Sequence, residues 1–149
     1  MSANAHASYQ TMLGLETLAL RLPRIVQSVE TIAKELDKQG LNINHPCLAS
    51  HPHHDRYLTD FKNGCGTLFT IDMGTKEAAF KFLNATKLAT ITANIGDTRT
   101  LALHMASTIY SDFNNETKSF LGITDGLIRI SIGLENPQDI IADFLNAAK

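Results

Sequence analysis

The chain has 149 residues, 44% of them hydrophobic and 19% charged, with a net charge of −2. This is one domain's worth of ordinary globular composition, which excludes a disordered chain. The charge lacks the concentrated basic block of a nucleic-acid-binding face, and no apolar run approaches the ~20 residues that span a bilayer.

Residues 7–20, "ASYQTMLGLETLAL", are Leu-rich and free of proline, and predict a helix. Pro23 removes a backbone donor and is expected to kink this helix or divide it. Over 24–38, Val26, Val29, Ile32, Ala33 and Leu36 recur at helical spacing, with Gln27, Glu30, Lys34 and Asp37 opposite; Gly40 is a stop. Residues 1–38 thus form a long helical lead-in. Residues 41–46 read as a short extended segment, and a helix begins near Asp55. "TLFTIDM" (67–73) is a strand. Residues 75–86 are a helix capped by Thr75, with Ala79, Phe80, Phe82 and Leu83 as its inner face. Residues 98–106 are a strand, Asn114 caps a short helix over 115–121 ending at Gly122, and 127–132 is a strand. In the last helix Asn136 is the cap, Pro137 takes the first helical position and Asp139 complements the dipole; Ile140, Ile141, Phe144, Leu145 and Ala148 form its stripe. The expected architecture is α+β: one small, mostly antiparallel sheet with helices packed on one face, in a single domain over 1–149.

The strand "LIRISI" (127–132) poses a question. Side chains alternate along a strand, so Ile128, Ile130 and Ile132 share the face that suits the helices, and Leu127, Arg129 and Ser131 share the other. A planar, five-donor cation fixed at mid-strand suits bidentate capture of a carboxylate or phosphate. The competing reading is a solvated arginine, or one paired with Asp125 or Asp97.

Other candidates carry less. His51, His53, His54 and Asp55 are too close in sequence to converge on a metal, and no second ligand pair stands at zinc spacing, so a polar loop is expected and no metal. His104 and Met105 read as core or edge packing. "NGCGT" (63–67) precedes a strand rather than a helix, so its glycines signal a bend or close approach rather than a phosphate loop. Cys65 stands in no nucleophile arrangement. Cys47 and Cys65 form no CxxC pair and read as reduced thiols of a cytoplasmic protein; the first twenty residues show no signal-peptide pattern.

Four stretches carry a resemblance: "GLETLALRL" (14–22), "SHPHH" (50–54), "ANIGDTRTLALHMAST" (93–108) and "GITDGLIRISIGLENPQDIIADF" (122–144). Their order and spacing resemble the C-terminal domain of the Cys/Met-metabolism family of pyridoxal-phosphate enzymes, which includes cystathionine synthases and lyases, methionine γ-lyase and O-acetylhomoserine sulfhydrylase. "GLETL" and "NIGD" look most like the sulfhydrylase branch. The resemblance covers nearly all of this chain but about the last third of a family chain. It implies the small domain of a fold-type I enzyme.

Through the resemblance, Arg129 matches the arginine that binds the substrate's α-carboxylate. Asn94, opening the "xxGD" turn, matches a residue that lines the substrate site, often through its backbone. The chain departs from the family at Met105, where proline is usual, and at Ile109 and Tyr110, which replace Thr and His. It departs also at Pro23, inside the family's long helix, and at Cys65, where an apolar or aromatic residue is usual. The lysine that forms a Schiff base with pyridoxal 5'-phosphate, the acid under the pyridine nitrogen and the phosphate-binding residues belong to the family's large domain, and none matches here. Lys76 follows Gly74 and Thr75 but sits in the first turn of a predicted helix, and is not that lysine. The implied whole enzyme catalyses γ-replacement giving homocysteine or methionine; this chain alone, lacking the large domain, is expected to be inactive and to self-associate as a homo-oligomer through uncovered apolar surface. Alternatives are a freestanding, non-catalytic domain that binds an amino acid or a protein, and, more weakly, a metal module at His51, His53 and His54.

Overall fold

A computed structural model describes residues 4–149; residues 1–3, the start of the expected helical lead-in, lie outside it. The elements run α1 (Ala5–Glu16), α2 (Leu18–Lys38), β1 (Asn42–Asn44), α3 (His54–Asp60), β2 (Leu68–Asp72), α4 (Lys76–Ala85), β3 (Thr90–Ile91), β4 (Leu101–His104), α5 (Asn115–Phe120), β5 (Leu127–Ser131) and α6 (Pro137–Ala147). The sheet is five-stranded in the order β1-β2-β5-β4-β3. All its pairings are antiparallel except that of β3 with β4.

One face of this sheet is the core. Ile128 and Ile130 of β5, Phe69 and Ile71 of β2 and Ala102 of β4 pack with Val29, Ile32 and Leu36 of α2, Phe82 of α4 and Ile140 and Phe144 of α6. Phe82 and Phe144 meet edge to face, ring centroids 5.4 Å apart, a geometry that adds to their burial. Helix signals written in the sequence act as expected: the side chains of Thr75, Asn114 and Asn136 each accept a backbone N–H of the first turn, and Pro137 opens α6.

Two expectations need correction. The lead-in divides at Thr17, not at Pro23, which stays inside α2. Pro23 lies in the second turn of α2, where it forfeits one bond to the Ala19 carbonyl, whereas Thr17 is tied into a local knot: its hydroxyl accepts from Arg21 Nε (3.0 Å), and Arg21 Nη2 also reaches the Gly14 carbonyl (2.7 Å). Phe80, expected on the inner face of α4, is 38% exposed. Ala79, Phe82 and Leu83 satisfy the i, i+3, i+4 stripe without it, and its ring leans on His104 at 5.0 Å.

In "NGCGT", Gly64 adopts φ +82° and packs so closely on α2 that a Cβ there would collide with Val26 and Glu30. The close approach seats α3 against α2, where the Tyr57 hydroxyl donates to the Glu30 carboxylate. No helix among the described residues is long and apolar enough to cross a membrane. Helix α1 buries no residue, and Tyr9, Met12, Leu13 and Leu15 along it are all exposed.

Candidate substrate-carboxylate site

The helices pack on the isoleucine face of β5, and Arg129 stands on the opposite face, level with Thr70 of β2 and Leu103 of β4. It is only 9% exposed. One guanidinium nitrogen, Nη2, donates to the backbone carbonyl of Asn94 at 3.0 Å. Nε is buried and has no hydrogen-bond partner. A buried, unsatisfied charged donor is costly and rare, and therefore informative.

Neither candidate acid answers Arg129. Asp97 turns to its own neighbour: the Arg99 backbone N–H (3.0 Å) and side chain (3.5 Å) meet its carboxylate, and these bonds hold its pKa below the usual value. Asp125 gives its backbone carbonyl to His104 Nε2 at 2.7 Å. Among the described residues no carboxylate forms an ion pair with Arg129. Burial lowers the Arg129 pKa, offset in part by the nearby Tyr110 hydroxyl; the guanidinium remains the charged form at any physiological pH.

The loop before β4 and the turn after it border this face. Asn94 touches the guanidinium through its backbone carbonyl, and its side chain turns back to the Ile95 N–H at 2.9 Å. His104 is 2% exposed and fully used: Nδ1 accepts from the Ser107 N–H (3.3 Å) and hydroxyl (2.7 Å), so Nε2 carries the proton given to Asp125. That bond pattern fixes the turn carrying Met105, Ile109 and Tyr110.

The remaining candidates are not brought into this site. The His51 and His53 rings lie tilted to each other with centroids 5.7 Å apart, His54 bonds the Pro46 carbonyl, and no group of three metal-ligating side chains converges among the described residues. Cys47 is buried and Cys65 half-buried, both free thiols. Burial pushes the Cys47 thiol up to about 11. Lys76 begins α4, exposed, 5.8 Å above the Phe80 ring. Sequence reasoning missed Thr100 and Glu135, whose clamp is described below; the only signal was the tight "IGLE" run after the arginine strand.

The α+β layer is consistent with a domain of a fold-type I pyridoxal-phosphate enzyme, the class of its structural neighbour. It belongs to the family described as Cys/Met metabolism PLP-dependent enzyme, whose pattern matches residues 1–149. It is 39% identical over 143 residues to O-acetyl-L-homoserine sulfhydrylase 1 of Thermus thermophilus, covering 94% of this chain and 34% of that protein. It is 38% identical over 149 residues to a homocysteine synthase of Schizosaccharomyces pombe, covering 98% and 35% respectively. A Campylobacter jejuni crystal structure assigned as an O-acetylhomoserine (thiol)-lyase superposes with a TM-score of 0.86 at 36% identity, covering 91% of this chain and 33% of that one; it carries an N'-pyridoxyl-lysine-5'-monophosphate. The chain therefore spans about a third of the length of the curated relatives it matches.

The cofactor of the family is pyridoxal 5'-phosphate. The orphaned Arg129 Nε fits an anion at this face. The lysines do not fit the cofactor's covalent anchor, since every one is exposed or half-buried.

Proposed function

We propose that this chain is the C-terminal, substrate-carboxylate-binding domain of a cytoplasmic pyridoxal-phosphate enzyme of sulfur-amino-acid metabolism, an O-acetylhomoserine sulfhydrylase. In the whole enzyme the acetyl group of the substrate leaves and sulfide or a thiol adds, giving homocysteine or methionine. The bound cofactor supplies the electron sink, and a large domain supplies its lysine. Arg129 grips the substrate's α-carboxylate through Nε and an Nη, while the Asn94 carbonyl holds the other edge of the guanidinium. Two donors in one plane fix the amino acid's rotation as well as its position, which is the orientation the reaction requires.

The observation that carries this reading is the buried Arg129 on the helix-free face with no acid partner and an unused Nε. Its test is the product of the complete reading frame that contains this chain. Two charge-assisted hydrogen bonds are worth about 3 kcal/mol or more together, so Arg129→Ala is expected to raise KM for the amino-acid substrate by roughly 100-fold. An unchanged KM refutes the assignment. The chain alone is expected to turn over no substrate when pyridoxal phosphate is added. A start codon and ribosome-binding site directly ahead of Met1, with no upstream lysine motif, would favour a freestanding binding domain instead.

The exposed apolar residues of α1 support a further part of the reading, that the chain assembles with other surfaces, its own copies included. Sedimentation of the isolated chain is expected to show self-association, and a clean monomer at high concentration would refute this.

A further inference from the structure

Behind the arginine lies a second carboxylate that the reaction does not touch. Glu135 sits just past β5 and takes hold of Thr100, which is wholly buried: Oε1 accepts the Thr100 N–H at 2.6 Å and Oε2 accepts the Thr100 hydroxyl at 2.9 Å. The same hydroxyl accepts the Gly133 N–H at 3.1 Å. Gly133 packs against the loop so tightly that a Cβ would stand 2.5 Å from the Thr98 carbonyl oxygen. Two more bonds join the same pair of segments, from the Leu134 N–H to the Thr98 carbonyl (2.8 Å) and from the Gly96 N–H to the Ser131 hydroxyl (3.5 Å).

Every one of these bonds links the loop that carries Asn94 to the segment that continues from Arg129. The loop has few other anchors near its tip, where Asn94, Ile95 and Gly96 are exposed. Its tip must nonetheless hold one carbonyl 3.0 Å from the guanidinium. A drift of about 1 Å in a group that positions substrate costs on the order of 100-fold.

We propose that Glu135 is a positioning residue. By clamping Thr100 it holds the Asn94 carbonyl in place, and that carbonyl, bound to one N–H of Nη2, turns the Arg129 guanidinium so that Nε–H and the other N–H of Nη2, which share one edge, face the incoming carboxylate. The proposal rests on the reading of Arg129 given above.

The test is a double-mutant cycle in the product of the complete reading frame. Glu135→Gln keeps the shape but replaces one accepting oxygen by a donor. It is expected to raise KM for the amino-acid substrate by about 10-fold while leaving kcat within about 2-fold. In the Arg129→Ala background the same change is expected to add less than about 2-fold, because there is no guanidinium left to aim. Thr100→Val is expected to repeat the KM effect and Thr100→Ser to restore it, which keeps the test available if Glu135→Gln fails to fold. A Glu135→Gln penalty that persists in full in the Arg129→Ala background, or that falls on kcat alone, overturns the positioning role while leaving Arg129's own role intact. An Arg129→Ala enzyme with unchanged KM overturns the reading on which both stand.

Discussion

Replacing Arg129 by methionine is expected to make the chain more stable. Methionine matches the length of the arginine stem and its terminal methyl adds about 0.8 kcal/mol of apolar burial. The change removes an orphaned Nε–H from a side chain that is 9% exposed, relieving about 1–3 kcal/mol. Against this stands the loss of one charged hydrogen bond to the Asn94 carbonyl, about 1.5–3 kcal/mol. The abandoned carbonyl belongs to an exposed residue and returns to water. The balance favours methionine by about 0.5 kcal/mol, or roughly 1–2 °C in melting temperature for a chain of this size. A structural arginine locked in a buried ion pair would behave in the opposite sense, its removal costing about 3–5 kcal/mol. Thermal and urea unfolding of wild type and Arg129→Met, followed by circular dichroism, separate the two. A variant destabilised by 2 kcal/mol or more, by the scale of a lost charged bond, would refute the claim that this guanidinium is held for a ligand rather than for the fold.

Phe144→Ala, emptying a fully buried site against Phe82, is expected to cost about 3–5 kcal/mol in urea unfolding; a cost near 1 kcal/mol would mean that α6 does not pin the sheet. Cys47, buried and with its thiol raised to about 11, is expected to resist a thiol reagent at pH 8 until the chain unfolds, so that Cys65 alone reacts in the native state; two fast equivalents would refute this. Burial lowers His45 below its ordinary 6.5, while Nδ1 accepts the Cys47 N–H (3.1 Å) and Nε2 donates to the Cys65 carbonyl (3.0 Å). As pH falls below 6.5 the unfolded chain takes up the proton first, so stability declines from there towards the folded value and is unaffected above it. Denaturation midpoints at pH 7.5 and 5.5 are expected to differ less in His45→Gln than in wild type, and equal differences would refute the assignment.

What the sequence made legible is what local chemistry writes. The cap at Asn136, the proline after it and the stripe through Ile140 and Phe144 specify α6 without help from the rest of the chain. Alternation alone put Arg129 opposite Ile128 and Ile130. What stayed hidden depends on partners far away in the chain. Strand β3 is two exposed residues whose only identity is their pairing with β4, and no periodicity reveals it. Glu30 sits on the polar side of α2 by spacing, yet it is drawn in by Tyr57, 27 residues away. Glu135 finds Thr100 across 35 residues. Pro23 does not make the division, although a proline advertises a break wherever it stands, while Thr17 and Arg21 make it through a knot that only coordinates reveal.

The place of β5 between β2 and β4 has a further consequence. Both neighbours zip to it residue by residue, so sliding it by a single step would thrust a charged fork among the helices and turn the isoleucines away from them. Most enzymes hang their gripping groups on loops, where drift is cheap. Here the backbone position of Arg129 is set by the same pairings that seal the core, so selection for a folded chain also fixes where that side chain starts.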